Sequence, residues 1–154
     1  MATHLGTPVC LAPRSGNLLS GMSEISTAAA DVSVLVVDDQ PFFRDAARAV
    51  LDALTGFRAV AEASSGSEAV RVVAQLRPEL VLIDVRMPGM SGVEAARRIM
   101  DAHPETVVVL ISTDDLTDAV LTVRSCGAAA FARKQDLAPS FLRALWARHG
   151  PRRD

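Results

Sequence analysis

The chain has 154 residues, 49% of them hydrophobic, and a formal net charge of −2. That length and hydrophobic content support one domain with a packed core and exclude a disordered chain. The near-neutral balance argues against a dedicated polyanion-binding surface. The two cysteines, Cys10 and Cys126, have neither metal spacing nor the look of a disulfide framework, which fits a reduced, cytoplasmic setting. No apolar run is long enough to span a membrane, and the N-terminus lacks the basic start and apolar core of a secretion signal.

Residues 1–31 are dominated by Ser, Thr, Gly, Ala and Pro without a helical or strand period, and are expected to form a poorly ordered tail. Met22 is a candidate alternative start. From residue 32 the pattern changes. Val32 to Val37 is a β-branched run ending at Asp38-Asp39, and Pro41 suits the first turn of a helix with Phe43, Ala46, Val50 and Leu54 on one face. Gly56 is expected to end that helix. Arg58 to Ala63 is a weak strand. Ser65, Gly66 and Ser67 open a second helix with an apolar face at Ala69, Val73 and Leu76, stopped by Pro78.

Leu80 to Ile83 is a continuous apolar strand leading into Asp84. Ser91 and Glu94 have the spacing of a capping box at the start of a third helix, and Pro104 marks its end. Thr106 to Ile111 is the most apolar strand, closed by Ser112. Leu116, Ala119, Val120 and Val123 predict a fourth helix that ends near Gly127. Ala128 to Arg133 is a short strand followed by Lys134, and Ala138 to Arg148 is a final helix with Phe141, Leu142, Leu145 and Trp146 as its stripe. Apolar strands alternating with amphipathic helices predict a doubly wound, five-stranded parallel sheet covered on both faces. The domain is expected over residues 32–149, with a short tail at 150–154.

In such a sheet the carboxyl ends of the strands lie along one edge, where ligands bind. The polar residues at those ends are Asp38, Asp39, Asp84, Ser112 and Lys134. Three carboxylates converging on one edge repel each other and persist most easily around a divalent cation. Asp84 can act as a nucleophile and form an acyl phosphate. A magnesium ion held by Asp38 or Asp39 would neutralise the incoming oxygens. Lys134 can meet a phosphoryl oxygen as a point charge, and the Ser112 hydroxyl can donate a hydrogen bond to another.

The stretches Val36-Val37-Asp38-Asp39-Gln40, Asp84 to Gly92, Val109 to Ser112 and Gly127 to Lys134 together resemble the receiver domain of two-component response regulators, over residues 32 to about 148. The resemblance implies a flavodoxin-like (βα)5 fold and phosphorylation of Asp84 by a histidine kinase or phosphotransfer protein. It also implies Mg2+ positioned by Asp38, Asp39, Asp84 and the backbone carbonyl of Arg86. Ser112 and Lys134 become phosphoryl contacts, and Phe131 matches a switch aromatic that moves with the Ser112 hydroxyl. The output is then a population shift through the fourth helix, fifth strand and fifth helix toward a second copy or a protein effector, with no turnover chemistry. Arg86 and Asp114 each lie two residues past a key position, where the family lines the pocket mouth. They are expected to pair and slow attack by water.

Each residue also has a plainer reading. Asp38-Asp39 could serve only the N-terminus of a helix, Phe131 the core, Lys134 the surface, and Arg86 and Asp114 as two solvated charges. Cys126 reads as a small packed residue, Trp146 as core or interface, and Arg143, Arg148, Arg152 and Arg153 as a solvated face. The sequence departs from the common receiver pattern at Gln135, where proline is frequent, and at Arg133, where the strand is often apolar.

The style of these motifs is that of receivers preceding a LuxR-type helix-turn-helix, so a fragment of a DNA-binding regulator stands beside a stand-alone receiver. This stretch itself is expected to make no nucleic-acid or membrane contact. A magnesium-dependent phosphohydrolase with an aspartyl nucleophile would need an acid-base carboxylate where Arg86 stands. A receiver that binds partners without phosphorylation would not need the intact acidic pair, hydroxyl and lysine.

Overall fold

A computed structural model describes residues 30–115 and 117–152. The expected N-terminal tail therefore lies outside the described residues apart from its last two, as do Cys10, Met22, Leu116 and Arg153. Among the described residues no helix is long and apolar enough to cross a membrane.

Five strands form one parallel sheet: β1 (Val32–Val37), β2 (Phe57–Ala63), β3 (Leu80–Asp84), β4 (Val107–Ser112) and β5 (Ala130–Arg133). Their order across the sheet is β2-β1-β3-β4-β5. The helices between and after them are α1 (Pro41–Asp52), α2 (Gly66–Leu76), α3 (Gly92–Ala102), α4 (Ala119–Cys126) and α5 (Pro139–His149), with a 3-10 turn at Lys134–Asp136. This is the doubly wound, flavodoxin-like order, in which the chain reverses direction between β1 and β3.

The apolar strands alternate sides, as the period of two requires. Leu35, Val37, Val81, Ile83, Val108 and Leu110 face α2, α3 and α4. Val34, Val36, Leu80, Leu82, Val109 and Ile111 face α1 and α5. Because β1, β3 and β4 are covered on both sides, they read as uninterrupted hydrophobic runs. Trp146 of α5 packs edge-on against Phe57 of β2, with ring centroids 6.3 Å apart. Cys126 is buried at the end of α4, as a small packed residue should be.

Several expected details shift. The buried stripe of α1 is Phe43, Ala47 and Leu51, followed by Leu54; Ala46 is exposed and Val50 half-buried. The helix ends at Asp52. Gly56 instead sits four residues on at φ 91, where its carbonyl accepts the Val32 N–H at 2.8 Å. Leu76 of α2 is 54% exposed and Val120 of α4 is 65% exposed, so neither completes the apolar face assigned to it. β2 begins at Phe57, β4 runs one residue later than expected to include Ser112, and β5 begins only at Ala130. At α3 the Ser91 hydroxyl accepts the Glu94 N–H at 3.2 Å. The return half of the capping box is not made, because the Glu94 carboxylate pairs with Arg97 and Arg98.

One glycine couples this packing to the end of β3. A Cβ on Gly92 would lie 2.0 Å from the backbone oxygen of Asp84, and no flexible side chain stands there to give way. Gly92→Ala is expected to lower stability by about 1–3 kcal/mol, read as a lower urea midpoint at unchanged slope.

Candidate functional site

The strand order places the ends of β1 and β3 side by side at the point where the connections diverge, and the crevice there is where such sheets bind ligands. Asp38 follows β1 and is fully buried, Asp39 is exposed beside it, and Asp84 ends β3 with 6% exposure. Local chemistry fixes the first turn. The Asp38 carboxylate accepts the Gln40 N–H at 2.9 Å, the two-residue reach typical of an Asx turn. Pro41 then starts α1. From α1 the Arg44 guanidinium donates to the Asp38 backbone carbonyl at 2.7 Å and pairs with Glu62 of β2 at 3.2 Å. Arg48 also meets Glu62.

Asp38, Asp39 and Asp84 each offer a carboxylate oxygen, all within 4.8 Å of one another. Lys134, in the 3-10 turn after β5, sends its ammonium to 2.6 Å from Asp38 Oδ2 and 3.8 Å from Asp84 Oδ1. The Asp38 contact lies off the hydrogen-bonding direction, so that buried oxygen has a charge partner but no hydrogen bond. The ammonium also stands 4.6 Å from the centroid of the Phe43 ring. Burial first, then the neighbouring Asp38 charge, pushes the Asp84 carboxyl up from 3.8 to about 6. Asp39 adds to the rise, while Lys134 and the backbone N–H of Arg86 oppose it.

Asp39, Asp84, Ser112 and Lys134 line one polar cleft of about 180 Å3. Ser112 is buried at the end of β4, and its hydroxyl accepts the Asp114 N–H at 3.3 Å. Arg86 and Asp114 line the same cleft and meet at 3.7 Å, both about 70% exposed. Phe131 is not in the cleft. It is half-buried on β5 and lines a separate apolar groove of about 360 Å3 with Ala119, Val120 and Val123. That groove is larger but brings no carboxylate or hydroxyl together, so the chemistry belongs to the smaller cleft.

Sequence reasoning missed Gln40 and Thr113, which line the cleft, and the contacts of Phe43 and Arg44. The step from Asp38-Asp39 into α1 was the available signal for Gln40. Nothing local marked Phe43, whose stripe reads as core. Arg133, the unusual charge in β5, is held by Asp136 at 3.0 Å and Asp115 at 3.5 Å, and there is no cis peptide bond among the described residues.

A doubly wound sheet with three carboxylates, a hydroxyl and a lysine at its switch point defines a class of α/β domain with an acidic cleft suited to cations and phosphoryl groups. Comparison with known proteins narrows that class. The response regulator receiver domain model matches residues 34–144, and the chain belongs to this family.

Among curated relatives, a protein-glutamate methylesterase/protein-glutamine glutaminase of Hahella chejuensis is 41% identical over 60% of this chain and 26% of its own length. The transcriptional regulatory protein YxjL of Bacillus subtilis is 34% identical over 74% of this chain and 52% of its own. The chain thus spans about a quarter to a half of the length of these relatives. Among solved structures, the receiver domain of NarL from Mycobacterium tuberculosis superposes with a TM-score of 0.73 at 31% identity, covering 80% of this chain and 100% of that one. The corresponding domain of CheB from Thermotoga maritima gives 0.70 at 25% identity, covering 80% and 99%.

The raised Asp84 value has a stability consequence. The folded state holds the Asp84 proton more tightly than the unfolded chain does, so stability falls as pH rises from 3.8 through about 6. The shift corresponds to at most about 3 kcal/mol. Without added divalent cation, Asp84→Asn is expected to gain on the order of 1–3 kcal/mol near pH 7.5 and little near pH 4. Urea denaturation at both pH values measures this, and equal stability of variant and wild type near pH 7.5 would contradict it.

Proposed function

We propose that this chain is a phosphorylation-switched receiver in which Asp84 accepts a phosphoryl group from a histidine kinase or phosphotransfer protein. One observation carries the reading: the Asp84 carboxylate lies in a polar cleft beside the buried Asp38 and 3.8 Å from the Lys134 ammonium. In the transfer an Asp84 oxygen forms the new P–O bond as the donor's bond to phosphorus breaks. The electron pair leaves with the donor, a histidine imidazole in the protein case. Lys134 and the Ser112 hydroxyl meet the phosphoryl oxygens, and most of the catalysis is positioning and charge stabilisation.

Asp38, Asp39 and Asp84, with the Arg86 backbone carbonyl, would hold Mg2+. The three hard oxygen donors within 4.8 Å of one another suit such an ion. When bound, it would offset the negative charge of the incoming phosphoryl oxygens. The Asp84 phosphate would add about 1.5 to 2 negative charges and draw the Ser112 hydroxyl. Phe131 would then report the change through α4, β5 and α5 to a second copy or a protein effector. The setting of that reading is cytoplasmic. The domains joined to a receiver differ among its relatives, and a DNA-binding regulator is one such context for this chain.

Incubation with acetyl phosphate and magnesium, read by intact mass, is expected to add one phosphoryl group. Asp84→Asn and chelation by EDTA are each expected to abolish the gain, and an unmodified wild type would reject the reading. The Arg86–Asp114 pair spans the mouth, so removing either partner should ease water's approach to the phosphate. Such an exposed pair is worth at most about 1 kcal/mol. Arg86→Ala and Asp114→Ala are therefore expected to shorten the acyl-phosphate lifetime about two- to fivefold, and unchanged lifetimes in both would remove the pair from the mechanism.

A further inference from the structure

Lys134 is the one cation touching both Asp38 and Asp84 among the described residues, and its side chain is only 13% exposed. A lysine stem is long and flexible, with three rotatable donors and little inherent direction. Its attachment point is the 3-10 turn Lys134–Asp136, closed by the Leu137 N–H to the Lys134 carbonyl at 3.2 Å. That turn fixes where the side chain begins but not where its ammonium ends. The ion pair with Asp38 Oδ2 at 2.6 Å holds the ammonium to its carboxylate side by charge, and leaves its opposite side to be set by another neighbour.

Besides the two carboxylates, the ammonium has Phe43 as a neighbour. This residue stands on α1, directly after the turn that carries the acidic pair, and belongs to the core between the sheet and α1 and α5. The Lys134 ammonium lies 4.6 Å from its ring centroid, within the range at which a ring face attracts a cation. An aliphatic side chain of similar volume would fill the same core space but would present no negative face. A ring face also consumes none of the three N–H donors. It can hold the ammonium on one side and leave the donors for carboxylate and phosphoryl oxygens.

We infer that Phe43 is a positioning residue for the Lys134 ammonium, its ring face holding the cation over Asp38 and Asp84 so that it is placed for the phosphoryl group. The consequence for transfer rests on the proposed role of Asp84, whereas the contact itself does not.

Two measurements separate these. In the NMR spectrum of the folded chain, the ring is expected to displace the Lys134 Cε protons from their ordinary positions, and Phe43→Leu is expected to return them. Ordinary shifts in the wild type would overturn the inference whatever the phosphorylation result. Phe43 is then replaced by phenylalanines of increasing fluorination, which keep the ring's shape while draining its negative face. The rate of Asp84 phosphorylation by acetyl phosphate with magnesium is expected to fall stepwise, about three- to tenfold across the series, at constant thermal midpoint. A flat rate, or a loss that tracks thermal stability, would reduce Phe43 to core packing and overturn the positioning role. If the wild type takes up no phosphoryl group, the reading of Asp84 fails, and the chemical shifts alone decide whether Phe43 holds the ammonium.

Discussion

The structure depends on holding three like charges together. Asp38, Asp39 and Asp84 come within 4.8 Å of one another, and two of them are buried. Left alone, such a group would be relieved by protonation or by the strand ends moving apart. Protonation is partly taken up, since Asp84 holds its proton to about pH 6. Separation is prevented by the sheet. β1 and β3 are neighbours in a parallel ladder from Val34–Leu80 to Val37–Ile83, and hydrophobic side chains cover both of their faces. Hydrophobic burial elsewhere thus supports an electrostatic arrangement that would be unfavourable by itself.

The two sides of the sheet serve the cleft differently. The side with α1 and α5 supplies Phe43, which meets the one lysine ammonium in the cleft. Arg44, also on α1, ties the Asp38 carbonyl to Glu62 on β2 and so braces the acidic turn from the sheet's edge. The side with α2, α3 and α4 carries Phe131, away from the carboxylates. Between them, Gly92 lets α3 begin against the Asp84 backbone, which fixes the strand end from below. Placement of the carboxylates and any later movement around Phe131 therefore draw on different packing surfaces.

The sheet and its polar edge were legible because both come from simple periodicities. Continuous runs such as Leu80–Ile83 leave no solvent face, so they can only be central strands. Once the strands are parallel, Asp38, Asp84, Ser112 and Lys134 must share an edge. Less legible was which apolar residues on a helix are buried. Ala46 and Ala47 are neighbours of equal character, and only the seating of α1 on the sheet distinguishes them. Leu76 lies in the last turn of α2, past the sheet contacts of Ala69 and Val73. Tertiary pairs such as Phe43 with Lys134, or Arg44 with Glu62, join distant stretches and leave no local pattern. Arg86 and Asp114 were placed at one opening by the receiver resemblance, which puts the residues two past Asp84 and Ser112 at the pocket mouth.

The helix α4 has little holding it in place. It has eight residues, and Cys126 alone among them is buried. It starts from Asp118 in the left-handed region at φ 57 without a side-chain cap, a backbone state unfavourable for a residue with a side chain. Val120 and Leu121 stand largely in solvent. Around a stiff sheet this makes α4 the compliant member. Local opening takes least work where buried contacts are few and end groups lack partners. Local opening is thus expected first at α4 and the apolar groove beside Phe131, while the strands keep their register.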